Sequence, residues 1–145
     1  MKKAFEIRKK YEQLGLMESH DTLQQIGNLA NILIISKEYQ QARDLLSLYE
    51  SLISEYENQE CLDYGFCQIL FGILCYREEK ASEAEHHLLF AETIITDVIG
   101  TDNVYMRTVY RYLHSLYTRW RKLELAQKYK DKYLEANKNK VKIAP

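Results

Sequence analysis

Apolar residues recur at helical spacing along almost the whole chain. The clearest stretch is 39–56, where Tyr39, Ala42, Leu45, Leu46, Tyr49, Leu52, Ile53 and Tyr56 follow three-and-four spacing with Glu, Gln, Arg and Ser between them. That period gathers the apolar side chains on one face of a helix of about five turns. The same spacing predicts helices over 3–14, 21–36, 61–78, 82–98, 103–120 and 123–137, so seven helices and no strands are expected. Short polar breaks such as Ser36-Lys37-Glu38 and Gly100-Thr101-Asp102-Asn103 separate them. The only proline is the final residue, Pro145, so the strongest helix breaker is missing from the interior. Ser82 followed by Glu85 has the form of a capping box, and Asp21 or Asp102 can accept from free amides at a helix start. Residues 1–137 then form one domain, and 138–145 read as a flexible basic tail.

The pattern repeats. Ala42, Ala84 and Ala126 stand 42 residues apart, as do Leu29, Phe71 and Leu113; Ile32, Leu74 and Leu116; Leu33, Cys75 and Tyr117; and Tyr49, Ala91 and Tyr133. Ala30 and Gly72 match as well, with His114 as the departure. One helix pair is too small to bury its own apolar faces, and an equal step from pair to pair lets each meet the next in one register. Three pairs, at about 21–58, 61–100 and 103–137, follow from this period.

Asn28-Leu29-Ala30 with Ala42, Phe71-Gly72 with Ala84, and Leu113 with Ala126 are similar to the tetratricopeptide repeat, in its longer 42-residue form found in kinesin light chains and many bacterial proteins. Residues 94–102 resemble the extended linker of that form. Phe5 to Gly15 resembles the second helix and closing glycine of a truncated earlier repeat. The likeness covers nearly the whole chain and weakens in the third repeat, where Lys130 stands at the position of Leu46 and Leu88. A polar replacement there suits a terminal helix with nothing to stack on. The resemblance implies an all-α, right-handed α-α superhelix of three helix pairs plus an N-terminal helix.

It also implies a concave surface lined by the first helix of each pair. Gln24, Gly27, Asn28, Asn31 and Ile35 would come from one helix, Phe66, Ile69, Ile73, Tyr76 and Arg77 from the next, and Thr108, Arg111, Ser115 and Arg119 from the third. Such a groove has an apolar middle between amide groups and guanidinium groups. Asn can pair with a peptide backbone through donor and acceptor, and Arg can take a carboxylate in a fork. Family members that clamp a C-terminal carboxylate use Lys, Asn and Arg on successive first helices. Asn31 fits one such place, but Gly27, Leu70, Thr108 and Tyr112 occupy the others, which disfavours that mode. The expected function is a non-catalytic scaffold or adaptor for a protein or peptide. The alternatives are a peptide-sensing module like those of bacterial quorum-sensing regulators and a structural protein that self-associates, as a homodimer, through an apolar terminal face.

Composition narrows this further. In 145 residues, 46% apolar and 28% charged with net charge −1, there is room for one soluble domain and no apolar run near the ~20 residues of a spanning helix. Basic residues gather near both ends, without the contiguous stripe of a nucleic-acid surface. No secretory signal is apparent, so the cytoplasm is the expected location. Cys61, Cys67 and Cys75 fit neither a zinc pattern nor a disulfide framework and read as small buried thiols. His86 and His87 point about 100° apart on a helix, a poor arrangement for sharing a metal. His20 and His114 have no local partners for a triad, and the five glycines form no phosphate loop. Neither enzyme activity, cofactor nor metal is expected, and no nucleic-acid or membrane partner.

Overall fold

A computed structural model describes residues 20–56 and 61–143. Among them are six helices: α1 (His20–Ile35), α2 (Tyr39–Tyr56), α3 (Leu62–Arg77), α4 (Ala81–Ile99), α5 (Val104–Arg119) and α6 (Leu123–Ile143). The all-α expectation holds for these residues, and apart from the C-terminal end of α6 the helix ends lie within about two residues of those read from periodicity. The helix expected over 3–14 lies outside the described residues. At the other end α6 runs on to Ile143, through most of the stretch expected as a tail. Nothing between Asn137 and Ile143 breaks a helix, and its lysines are both good helix formers and favourable near a helix C-terminus.

The turns within the three pairs share one geometry. Lys37, Glu79 and Arg121 have φ of 63°, 63° and 60°, and they stand 42 residues apart. In the first turn Lys37 N–H donates to Ile34 O at 3.0 Å and Glu38 N–H reaches back to Leu33 O at 2.9 Å. Glu79 to Tyr76 (3.1 Å) and Lys80 to Cys75 (2.9 Å) repeat the pattern, as do Arg121 to Thr118 (3.2 Å) and Lys122 to Tyr117 (2.9 Å). These are Schellman caps, which satisfy orphan carbonyls at the end of the first helix. The next residue at once begins the second helix: Ala42, Ala84 and Ala126 donate to Glu38, Lys80 and Lys122. The repeat is therefore a period of backbone geometry as well as of side-chain type.

This turn also corrects two expected start signals. Lys80 caps α4 without a side-chain hydrogen bond and the helix opens at Ala81, so Ser82 lies inside it and forms no capping box. The Schellman cap fixes the start before Ser82 is reached. Glu85 instead accepts from Tyr117 OH at 2.7 Å. At α5 the cap is Asn103 and not Asp102: Asn103 Oδ1 accepts from Met106 N–H at 2.9 Å, while its amide donates to Gly100 O at 2.9 Å. Cys61 caps α3, its Sγ accepting from Tyr64 N–H at 3.4 Å.

Within each pair the two helices pack together, α1 on α2, α3 on α4 and α5 on α6. Successive pairs meet through α2 on α3 and α4 on α5, and the first helices also touch, α1 on α3 and α3 on α5. Among the described residues, the backbones of the second helices α2, α4 and α6 do not approach one another, and α4 and α6 meet through the side chain of Glu92. One core runs through all six helices, with Leu46, Tyr49, Leu52, Ile53, Leu74, Leu88, Ile95, Met106 and Leu113 essentially sealed from solvent. Burying each such side chain contributes about 1.5–3 kcal/mol. Close approach explains the small residues: a Cβ on Gly72 would stand 2.7 Å from Leu88 Cγ, and one on Gly65 2.7 Å from Ile95 Cγ1. At the third equivalent of Gly72, His114 fits because its Nδ1 donates to Ala126 O at 3.0 Å.

Polar bonds then fix the register between pairs. Gln68, buried on α3, donates to Glu50 of α2 at 3.3 Å and accepts from His87 Nδ1 of α4 at 2.7 Å. One repeat later Glu92 of α4 accepts from Tyr129 OH at 3.0 Å and from Lys132 Nζ at 3.3 Å. Glu50 and Glu92 stand 42 residues apart, as do His87 and Tyr129. Arg43 of α2 also bonds Glu78 just beyond α3. A carboxylate at one register position of α2 and of α4 thus reaches the following pair, where an unmet polar partner would cost about 1–3 kcal/mol.

Candidate functional site

The C-terminal turn of α3 and the C-terminal half of α5 lie side by side, because the Gly72–Leu88 approach and the two Schellman turns set both pairs in the same register. Between them is an open depression of about 450 Å³ lined by Tyr76, Arg77, His114, Ser115, Thr118 and Arg119. A narrower cleft of about 220 Å³ adjoins it, lined by Tyr76, Glu79, Ala81, Leu116, Arg119 and Trp120. Tyr76 and Arg119 are shared by the two. The Arg119 guanidinium lies over the Tyr76 ring at 5.3 Å, Tyr76 meets Tyr112 edge-to-face at 5.6 Å, and Arg111 sits 5.1 Å from the Tyr112 ring. Such stacking holds a guanidinium by its flat face and leaves its N–H edge available.

The larger depression has no carboxylate in its lining. Arg77, Arg111 and Arg119 are all exposed, and none forms a salt bridge with a described residue. Arg77 and Arg119 complement the C-terminal dipoles of α3 and α5. That interaction engages their charge but not the five N–H donors that each carries. Thr118 is occupied, donating to His114 O at 2.7 Å, and the half-buried Ser115 hydroxyl adds a donor and acceptor. The arrangement suits an anionic group with planar acceptor geometry.

The eleven candidate residues divide among five settings. Tyr76, Arg77, Ser115 and Arg119 come together around the depression. Arg111 lines a different hollow of about 190 Å³ with Val104, Arg107, Thr108, Tyr133 and Asn137. Ile69 and Ile73, at 1% and 6% exposure, are core residues and offer no surface to a ligand. The reason is that α3 is packed by α1, α2, α4 and α5 together, which closes its middle. Phe66 is half-buried, edge-to-face with Tyr105 at 5.9 Å, and would stand 2.9 Å from a Cβ on Gly27, so it spaces α1 from α3. Asn28 and Ile35 are exposed and Asn31 half-buried on α1, which packs on α2 and α3 but not on α5. The expected apolar middle is thus interior, and the accessible surface is the cationic and aromatic end. Helical spacing within one repeat does not mark Trp120, His114 or Thr118 as lining. The repeat could have found His114 and Thr118, which stand 42 residues beyond Gly72 and Tyr76.

Elsewhere the reactive side chains are engaged in structure. Burial holds the His87 imidazole below its ordinary value, with His86 and Arg43 adding to this and Glu83 opposing, and the ring stacks on Phe71 at 5.2 Å. Burial pushes the Cys67 thiol well up, and Glu50 adds to it; Cys75 is raised by burial and by Glu83. Burial and the Glu85 hydrogen bond likewise raise the Tyr117 hydroxyl. Among the described residues no three His, Cys, Asp or Glu side chains are placed to hold a metal ion, and no helix is long and apolar enough to cross a membrane. No family, curated protein or solved structure matches the chain in comparison with known proteins.

Proposed function

We propose that the protein is a non-catalytic helical-repeat scaffold that holds an acidic peptide segment of a partner against the α3–α5 depression. The observation that carries this is the carboxylate-free lining, in which Arg77 and Arg119 flank Tyr76 with their N–H donors unclaimed by described carboxylates. The packing supports a superhelix of the tetratricopeptide type: the backbones of the first helices approach those of their successors while the second helices, where they meet, do so only through long side chains such as Glu92 and Lys132, which suits a closely spaced, inner first-helix side. On that side Ile35, Arg77 and Arg119 form one column at 42-residue spacing, apolar at the first pair and cationic at the others. A peptide crossing it would place an apolar residue over α1 and acidic residues over α3 and α5. Three free thiols with no disulfide fit a reducing compartment such as the cytoplasm.

The test is fluorescence anisotropy against a panel of labelled peptides of about twelve residues, acidic, neutral and basic at matched hydropathy. Acidic members should bind, more weakly as salt rises, and an Arg77→Ala/Arg119→Ala variant should lose at least about tenfold in affinity, on the order of two charge-assisted hydrogen bonds. Binding that is indifferent to peptide charge, or equal in the double variant, would remove the assignment.

A further inference from the structure

The narrower cleft beside the depression has a different chemistry. It is lined by the buried Leu116, by the half-buried rings of Tyr76 and Trp120, and by the methyl group of Ala81, with the exposed Glu79 and Arg119 completing it. The repeats show where the room comes from. Ala81 opens α4 at the place where Tyr39 opens α2 and Leu123 opens α6, 42 residues to either side. Tyr39 is half-buried and packs on the core, so the ring that this position brings to the first turn is missing at the second. Trp120 in turn stands at the place of Glu78, whose carboxylate is taken by Arg43. A small residue on one side and an aromatic ring on the other thus give a largely apolar recess of about 220 Å³. A closed apolar cavity of ~150 Å³ accepts a benzene ring, so the cleft has room for one phenylalanine or leucine side chain.

We propose that this cleft takes one bulky apolar side chain, of phenylalanine or leucine size, from the same acidic segment whose carboxylates lie on Arg77 and Arg119. The inference rests on the function proposed above and adds a sequence requirement to it: an apolar residue close beside the acidic one. Charge sorts the two. Glu79 lines the cleft but not the depression, so a carboxylate drawn to Arg119 is turned away from the cleft while a neutral side chain is not. Tyr76 and Arg119 line both hollows, and an extended chain advances about 3.3 Å per residue, so the apolar residue is the first or second neighbour of the acidic one. Both rings are already held by cations, Tyr76 under Arg119 at 5.3 Å and Trp120 under Lys122 at 3.7 Å. Walls fixed before binding lower the cost of ordering them around a side chain.

Labelled acidic peptides that carry alanine, phenylalanine, leucine, glutamate or lysine at each place near the acidic residues test this by anisotropy. Phenylalanine or leucine at one of the neighbouring places should tighten binding about tenfold over alanine, and glutamate or lysine should not. Ala81→Tyr, which copies the residue of the first repeat, should abolish that gain while the alanine peptide binds as before; Ala81→Leu, which copies the third, gives a second filling. The unmodified protein offers a readout of its own, because Trp120 is the only tryptophan in the chain. Its emission should move to shorter wavelength when the phenylalanine peptide saturates the protein, and much less with the alanine peptide. Acidic peptides that bind but gain nothing from an apolar neighbour, or gain as much from lysine, overturn the cleft assignment and leave the depression standing. So does a gain that survives both fillings, or Trp120 emission unmoved at saturation. Failure of every acidic peptide to bind removes the depression first, and the cleft with it.

Discussion

Glycine at Lys37, Glu79 or Arg121 should make the protein more stable than alanine at the same position. Each residue sits at φ near 60° in the left-handed region, at the residue after the cap of a first helix. A side chain there costs about 1–2 kcal/mol through the clash of Cβ with the following carbonyl oxygen. Glycine escapes that cost but loses about 0.5–1 kcal/mol more backbone freedom on folding. The glycine variant should therefore exceed the alanine variant by about 0.5–1 kcal/mol per site. Comparing glycine with alanine matters because both remove the native charge, which lies at the negative end of a helix dipole and would otherwise confound Glu79 with Lys37 and Arg121. None of the three side chains has a hydrogen bond or ion pair with a described residue, so little else is lost. For a chain of this length each site corresponds to about 1–4 °C in Tm, and the three together to about 3–12 °C if they add. Urea unfolding with an unchanged slope would separate stability from a change in compactness. Ser36, immediately before the positive-φ residue, provides the reversed control: glycine there should be less stable than alanine. If glycine is no better than alanine at all three sites, the turns are not left-handed caps and the structural repeat is wrong.

Other consequences follow from burial and close packing. In the native protein a thiol-titrating reagent should label only the half-buried Cys61 rapidly, because Cys67 and Cys75 are 0% and 1% exposed with raised thiols; three fast thiols would contradict the core. His87 takes up its proton less readily folded than unfolded. Its stabilising contribution is therefore full above the ordinary imidazole value near 6.5 and is lost as pH falls through the lower folded value, so stability should decline from pH 7.5 to 5, and His87→Gln should flatten part of that decline in urea titrations. A slope unchanged by His87→Gln would remove the group from the account. Gly72→Ala should cost about 1–3 kcal/mol, since its Cβ would meet Leu88, itself 0% exposed, at 2.7 Å; a neutral effect in thermal unfolding would mean that α3 and α4 are further apart than described.

The helices and their pairing were legible in the sequence because both depend on periodic burial, and burial leaves its mark on residue type one position at a time. Ala42, Ala84 and Ala126 announced the close approach of each pair, and all three are buried. The turn itself was not legible. Lys37, Glu79 and Arg121 share a conformation but no chemistry, and none is the glycine that normally marks it. Helix starts misled for a similar reason, since Ser82 has the right neighbours for a cap while the preceding turn had already begun the helix. The site was only half visible. Helical spacing places Ile69 and Ile73 on the same first-helix face as Arg77, but it does not show that four neighbouring helices close the middle of α3 and leave its end open. Nor does it show that Arg119 lies over Tyr76, a contact between side chains 43 residues apart.

The proposed function requires that an acidic segment bind in the depression between α3 and α5. Titrating the isotopically labelled protein with the tightest acidic peptide of the panel, and following backbone amide shifts, tests that most directly. Saturable shifts should concentrate at Arg77, Ser115, Thr118 and Arg119, with the outer residues of α4, His86 and Phe90, unmoved. Shifts centred on those outer residues, or spread evenly over the basic residues without saturation, would contradict it.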